Sequence, residues 1–108
     1  MTLNEYQLQA LTFSLIKEDV QLIYGALGLN GESGEVAEKV KKIIRDQGGV
    51  LTEENKADIR KELGDALWYI SLCAHAIGCS LDEIAKNNIE KLSSRKQRGV
   101  LSGSGDNR

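Results

Sequence analysis

Apolar residues recur along this chain with the period of an α-helix, in four stretches separated by turn residues. Leu8, Leu11, Leu15 and Ile16 predict a first helix over about residues 3–17, with a continuation to Tyr24 left open, before Gly25 and Gly28 loosen the chain. Leu29, Val36, Val40, Ile43 and Ile44 predict a second helix over about 29–46, ended by Gly48 and Gly49. Thr52 reads as the N-cap of a third helix, with Glu53 and Glu54 in its first turn and Gly78 just beyond its end at Ile77. Ser80-Leu81-Asp82-Glu83 reads as a capping box opening a fourth helix that carries Ile84, Ala85, Asn88, Ile89 and Leu92. From Gly99 onward the run of Ser, Gly, Asp and Asn predicts a flexible tail, so the folded unit is expected to be residues 1–98 and the tail 99–108.

The third helix is the unusual one. After Asp65 it is apolar almost all round, from Ala66 through Trp68, Tyr69, Ile70, Leu72 and Cys73 to Ile77. A helix of that kind is covered on most sides, and three short partners within one chain of 108 residues supply little cover. The expectation is an all-α four-helix bundle completed by a second subunit through a two-fold interface.

Composition narrows the class without naming a chemistry. Proline is absent, which suits helices. The net charge of −2 gives no general attraction to nucleic acid or to a membrane surface, so neither is expected as a partner. No stretch is long and apolar enough for a span, and no basic segment followed by an apolar one opens the chain, which points to the cytoplasm. Cys73 and Cys79, in or beside one apolar segment, read as reduced core thiols.

The candidate chemistry lies in two matched acid pairs, Glu32-Ser33-Gly34-Glu35 and Glu62-Leu63-Gly64-Asp65. Each pair stands at i, i+3, side by side on a helix, with a glycine before its second acid. An alanine at either glycine would favour the helix by roughly 1 kcal/mol. Close approach of another backbone, a ligand or a metal is the expected reason for its presence. Glu32 and Glu62 border the apolar stripes of their helices, so the acids face a seam. Two carboxylates ~4.5 Å apart repel by roughly 3–4 kcal/mol at an effective dielectric of 20, and Lys39 and Lys61 alone do not balance four acids. Such a cluster takes up protons or binds cations. With oxygen ligands only, Mg²⁺ is the expected cation and Mn²⁺ its substitute.

Other constellations fail on spacing. His75, the single histidine, follows Leu72 by three residues, so no Glu-x-x-His di-iron motif exists. Cys73 and His75 point to different sides of a helix, which makes a poor zinc site with Cys79. Thiols in apolar sequence disfavour the thiolate, so no Cys–His nucleophile is expected. The glycines at 25, 28, 31 and 34 are followed by no Gly-Lys-Ser/Thr and preceded by no strand, and are not a P-loop.

The run Gly31-Glu32-Ser33-Gly34-Glu35-Val36-Ala37-Glu38-Lys39, with Glu62-Leu63-Gly64-Asp65-Ala66-Leu67-Trp68-Tyr69 after a loop, resembles the MazG-type all-α nucleoside triphosphate pyrophosphohydrolases. The likeness spans roughly residues 26–95. Gly31 stands where many members of that family carry a first glutamate, so metal binding is carried over to Glu32, Glu35, Glu62 and Asp65 only. The resemblance implies a Mg²⁺-dependent enzyme that cuts a nucleoside triphosphate between its α- and β-phosphates; the apolar third helix fits a homodimer or a homotetramer alike. It implies that Tyr69, Asn88 and Lys91 contact the nucleotide. Lys39, Lys42, Lys91 and Arg95 are expected on the phosphate tail, Trp68 or Tyr69 against the base, and Glu35 or Glu38 as general base. The alternative expectation is a helical module that binds nucleotide or metal, or serves assembly, without turnover.

Overall fold

A computed structural model describes residues 1–108 as four α-helices with no strand: α1 (Leu3–Leu11), α2 (Gln21–Gln47), α3 (Glu53–Ala76) and α4 (Leu81–Gln97). The all-α expectation holds. Local signals set most of the ends. Thr2 accepts from the Glu5 N–H while Glu5 reaches back to the Thr2 N–H, and Thr52 and Asn55 form the same reciprocal cap on α3. Ser80 caps α4 by accepting from the Glu83 N–H, but the Glu83 side chain faces Cys79 Sγ at 3.3 Å and does not close the expected box. Gly48 and Gly49, at φ 60° and 78°, end α2, and the Gly49 N–H closes onto Ile43 O.

Two boundaries differ from expectation. The first helix stops at Leu11, well short of residue 17. Thr12 turns its hydroxyl onto Gln9 O and Ser14 Oγ accepts from the Ile16 N–H, so side chains compete with the helical ladder where the apolar period continues. A 3₁₀ turn at Glu18–Val20 then leads straight into α2, which begins eight residues before the expected start near 29. Gly25 and Gly28 do not loosen the chain; they lie inside α2. Each costs the helix roughly 1 kcal/mol against alanine, and each is filled by α3. A Cβ on Gly25 would stand 2.7 Å from Cys73 Sγ, and one on Gly28 would lie 2.5 Å from Tyr69 Cζ and nearer still to Cε1.

The α2–α3 hairpin is the body of the molecule, with α1 laid across α3 and α4 resting lightly on both. Gln7 of α1 binds these parts together. Its Nε2 donates to Ser71 O and Cys79 O, and its Oε1 accepts from the Leu81 N–H at the head of α4. Trp68 Nε1 donates to Ala10 O, fixing the end of α1 to α3.

Only nine of 108 residues are buried, too few for a self-sufficient core. The radius of gyration is 16.8 Å, against about 13 Å for a compact chain of this length. The accessible surface is 7811 Å² for 11.9 kDa, against about 5,900 Å² expected of a compact monomer. Large apolar side chains contribute to it: Leu8, Phe13, Leu15, Leu22, Ile23 and Leu27 are exposed along the connection from α1 into α2. Leu63 on α3 and Ile77 just beyond its end are exposed as well. No helix is long and apolar enough to cross a membrane.

Candidate metal and nucleotide site

The seam between α2 and α3 gathers three of the four expected metal-site acids. Carboxylate oxygens of Glu32, Glu62 and Asp65 all lie within 4.8 Å of one another. Glu62 and Asp65 are brought together by their i, i+3 spacing, and Glu32 is delivered from α2 by the crossing of the two helices. Glu35, one turn further along α2, is exposed and outside that group, though its charge is felt by Glu32.

The electrostatics follow from this crowding. Loss of water around Glu32, hydrogen bonding to Glu62, and the charges of Asp65, Glu62 and Glu35 raise the Glu32 carboxyl above its ordinary range. One cation answers: Lys39 Nζ stands 3.4 Å from Glu62 Oε1. Three carboxylates and one ammonium leave two negative charges on an all-oxygen donor set. Both the donor chemistry and the charge fit a hard divalent cation.

A cavity of about 290 Å³ opens beside the acids, lined by Glu32, Asp65, Trp68 and Tyr69. Trp68 and Tyr69 meet edge to face, with ring centroids 5.1 Å apart, and Tyr24 lies 6.1 Å from Tyr69. Burial, then Tyr24, then the charges of Glu32 and Asp65 raise the Tyr69 hydroxyl, so it is a neutral donor beside the acids. Tyr6 of α1 feels Asp65 too: partial burial and that charge raise its hydroxyl.

The remaining expected residues are dispersed. Glu38 pairs with Lys41 at 2.9 Å and Lys42 at 3.7 Å, and the bond from Lys41 holds its carboxyl below the ordinary range. Lys42 lines a polar notch with Asp46, Asn55 and Asp58 towards the far end of the hairpin, and Lys39 stands between that notch and Glu62. Asn88 and Lys91 line a separate cavity on α4 with Ile84 and Asn87. Arg95 is 8% exposed and donates from Nη2 to Asp106 O at 2.6 Å, inside a turn formed by the last residues. That segment folds back on α4, with Arg98 donating to Arg108 O and Arg108 to Val100 O. Burial pushes up both thiols, Cys79 further by Glu83, in keeping with inert cysteines.

Sequence reasoning missed Tyr24, Tyr6, Gln7 and the purpose of the glycines. A Cβ placed on Gly34 or Gly64 would meet no other part of the chain within 4 Å, so no neighbouring backbone approaches either glycine. The close approach is made at Gly25 and Gly28 instead. Their three-residue spacing, set against Tyr69 and Cys73 four apart, was the signal available.

Comparison with known proteins agrees with this arrangement. The sequence model of the MazG nucleotide pyrophosphohydrolase domain matches residues 25–100, the span that holds every acid and aromatic residue of the cavity. The chain is 52% identical over 87 residues to the Gene 37 protein of Mycobacterium phage L5, covering 81% of this chain and 76% of that protein. No solved structure matches. The chain belongs to the MazG nucleotide pyrophosphohydrolase family.

Proposed function

We propose that this MazG-family chain hydrolyses nucleoside triphosphates between the α- and β-phosphates, giving a monophosphate and pyrophosphate, with Mg²⁺ as its cofactor. The observation that carries the reading is the convergence of Glu32, Glu62 and Asp65 oxygens beside an aromatic-walled cavity. Those three carboxylates would hold the cation, with Glu35 able to join them from the next turn. When bound, the cation supplies positive charge to triphosphate oxygens.

The chain's own groups divide the rest of the work. Lys39 restrains Glu62 while the site is empty of substrate and lies close enough to reach a phosphate oxygen. Trp68 and Tyr69 flank the nucleoside. Glu35 is the better general base for the attacking water, because it has no cationic partner within 4.0 Å, whereas Lys41 holds Glu38 in its weakly basic form. Lys42, Lys91 and Arg95 sit away from the acids, and a role for them on the phosphate tail requires a second copy to bring such groups to the cavity.

A second copy is part of the proposal. The surface surplus of about 1,900 Å² over a compact monomer is more than twice the roughly 800 Å² that each partner gives to an ordinary interface. It suits a homodimer or homotetramer built on the exposed apolar faces of α1, α2 and α3.

One observation favours a second reading, a helical module that binds metal or nucleotide without turnover: Glu35 lies outside the converging acids, and Gly31 stands where a further acid would complete them. The test separates the two. Pyrophosphate release is measured across canonical and modified triphosphates with and without Mg²⁺, for the wild type and for Glu62→Gln. The hydrolase reading expects Mg²⁺-dependent release by the wild type and none by Glu62→Gln, with helix content and assembly unchanged. Release undiminished in Glu62→Gln overturns the site, and no release from any triphosphate leaves the silent module.

A further inference from the structure

Of the four glycines that recur every third residue along α2, two meet nothing: Gly31 and Gly34 face open space. Gly25 receives Cys73 Sγ, and Gly28 receives the ring of Tyr69. Glycine weakens a helix intrinsically, so Gly28 marks a place where the ring needs the room. The register of the two helices gives that room a purpose. Glu32 is one turn beyond Gly28 on α2, and Asp65 is one turn before Tyr69 on α3. The seated ring and the acidic cluster are therefore neighbours along one seam, about one helical pitch of 5.4 Å apart. A nucleotide whose phosphates are drawn to the acids would meet this ring with its nucleoside end.

We infer that Gly28 is a positioning residue for nucleoside recognition: its missing side chain lets Tyr69 lie down on the α2 backbone, and this keeps the cavity beside Glu32 and Asp65 open. The inference rests on the reading that this cavity takes a nucleotide. A methyl group at position 28 would lift the ring off α2 and into the space lined by Trp68 and Asp65. The carboxylates, one turn away, would stay where they are. Gly28 thus governs affinity for the nucleoside and not for the metal or the phosphates.

The experiment compares two ligands in Mg²⁺ through the fluorescence of Trp68, the single tryptophan, which touches Tyr69. One ligand is inorganic tripolyphosphate; the other is the set of α,β-methylene analogues of the canonical deoxynucleoside triphosphates. Gly28→Ala is expected to weaken the analogues about ten-fold, the worth of one stacked base, and to leave tripolyphosphate and Mg²⁺ affinity unchanged. Gly31→Ala, facing open space, should change neither ligand. In a Tyr69→Ala background the further change Gly28→Ala should have no effect on the analogues, because the ring it would displace is gone.

Analogue binding by Gly28→Ala equal to wild type overturns the inference. So does an equal loss for tripolyphosphate, or a loss that persists in the Tyr69→Ala background. Should Gly28→Ala alone fail to fold, Tyr69→Leu is added: rescue of folding and of binding to the level of Tyr69→Leu supports the inference, and failure of rescue overturns it. A wild type that binds the analogues but releases no pyrophosphate from true triphosphates defeats the hydrolase reading alone. A wild type that binds none of them defeats both.

Discussion

Lys39 Nζ lies 3.4 Å from Glu62 Oε1, reaching across the seam from α2 to the acid at the centre of the cluster on α3. Both side chains are largely covered, 33% and 18% exposed, so this pair is less screened than the i, i+3 and i, i+4 pairs on the outer faces. It is the single ion pair that joins the two long helices at the acids.

Lys39→Met is therefore expected to destabilise the metal-free protein by about 1 kcal/mol, since it leaves three facing carboxylates without their counter-charge. Saturating Mg²⁺ should shrink that loss, because the cation replaces the missing charge. Thermal melts with and without Mg²⁺ measure both quantities, and equal losses in the two conditions would sink the assignment.

Glu32 carries the opposite sign. Its folded carboxyl is raised above its unfolded value, so the folded state binds the extra proton. The contribution to metal-free stability improves as pH falls through the window between the raised and ordinary values, and is unfavourable above it. Glu32→Gln should raise the melting temperature of the metal-free protein at neutral pH, flatten this part of the pH profile and remove the Mg²⁺-dependent rise in melting temperature. A Mg²⁺ response of wild-type size in Glu32→Gln would place the cation elsewhere. Glu38 and Asp46, held low by Lys41 and Arg45, act in the other direction and lose their contribution only at lower pH.

Gln7 is a purely architectural prediction. Its amide answers two carbonyls and one N–H from α3, its following turn and α4. Gln7→Leu keeps the bulk but strands those groups, at an expected cost of about 2–3 kcal/mol in urea unfolding. Mg²⁺ affinity at the acids should not move. A loss below about 0.5 kcal/mol would mean that the three groups find other partners.

Ile23 and Leu27 test assembly. Both are exposed on the first turns of α2. Ile23→Glu is expected to shift sedimentation from a multimer to a monomer and to lower the melting temperature, since a buried unpaired carboxylate opposes association. A monomeric wild type at micromolar concentration would contradict the proposed second copy.

How far the sequence could be read depends on the range of each interaction. The caps at Thr52 and Ser80 and the stops at Gly48 and Gly78 are contacts within a few residues, and they were legible. The end of α1 was not, because the apolar period runs on through Leu15 while the hydroxyls of Thr12 and Ser14 divert the backbone. Gly25 and Gly28 read as breakers by propensity alone, and only their partners on α3 show them as contact points. Among the acids, the sequence placed four together and the fold gathers three.

By itself the chain determined that Glu32 and Glu35, and Glu62 and Asp65, would stand as pairs on helices, because i, i+3 spacing needs nothing but a helical backbone. It also determined the family, since Glu-x-x-Glu and Glu-x-x-Asp with their flanks are local text. The tertiary structure alone decided which acid of α2 meets the pair on α3, and why Tyr69 can lie beside them. Those outcomes depend on how closely and at what rotation two helices cross. Here that crossing is set by an absent Cβ at Gly28 and a sulfur against Gly25, contacts between residues more than forty positions apart.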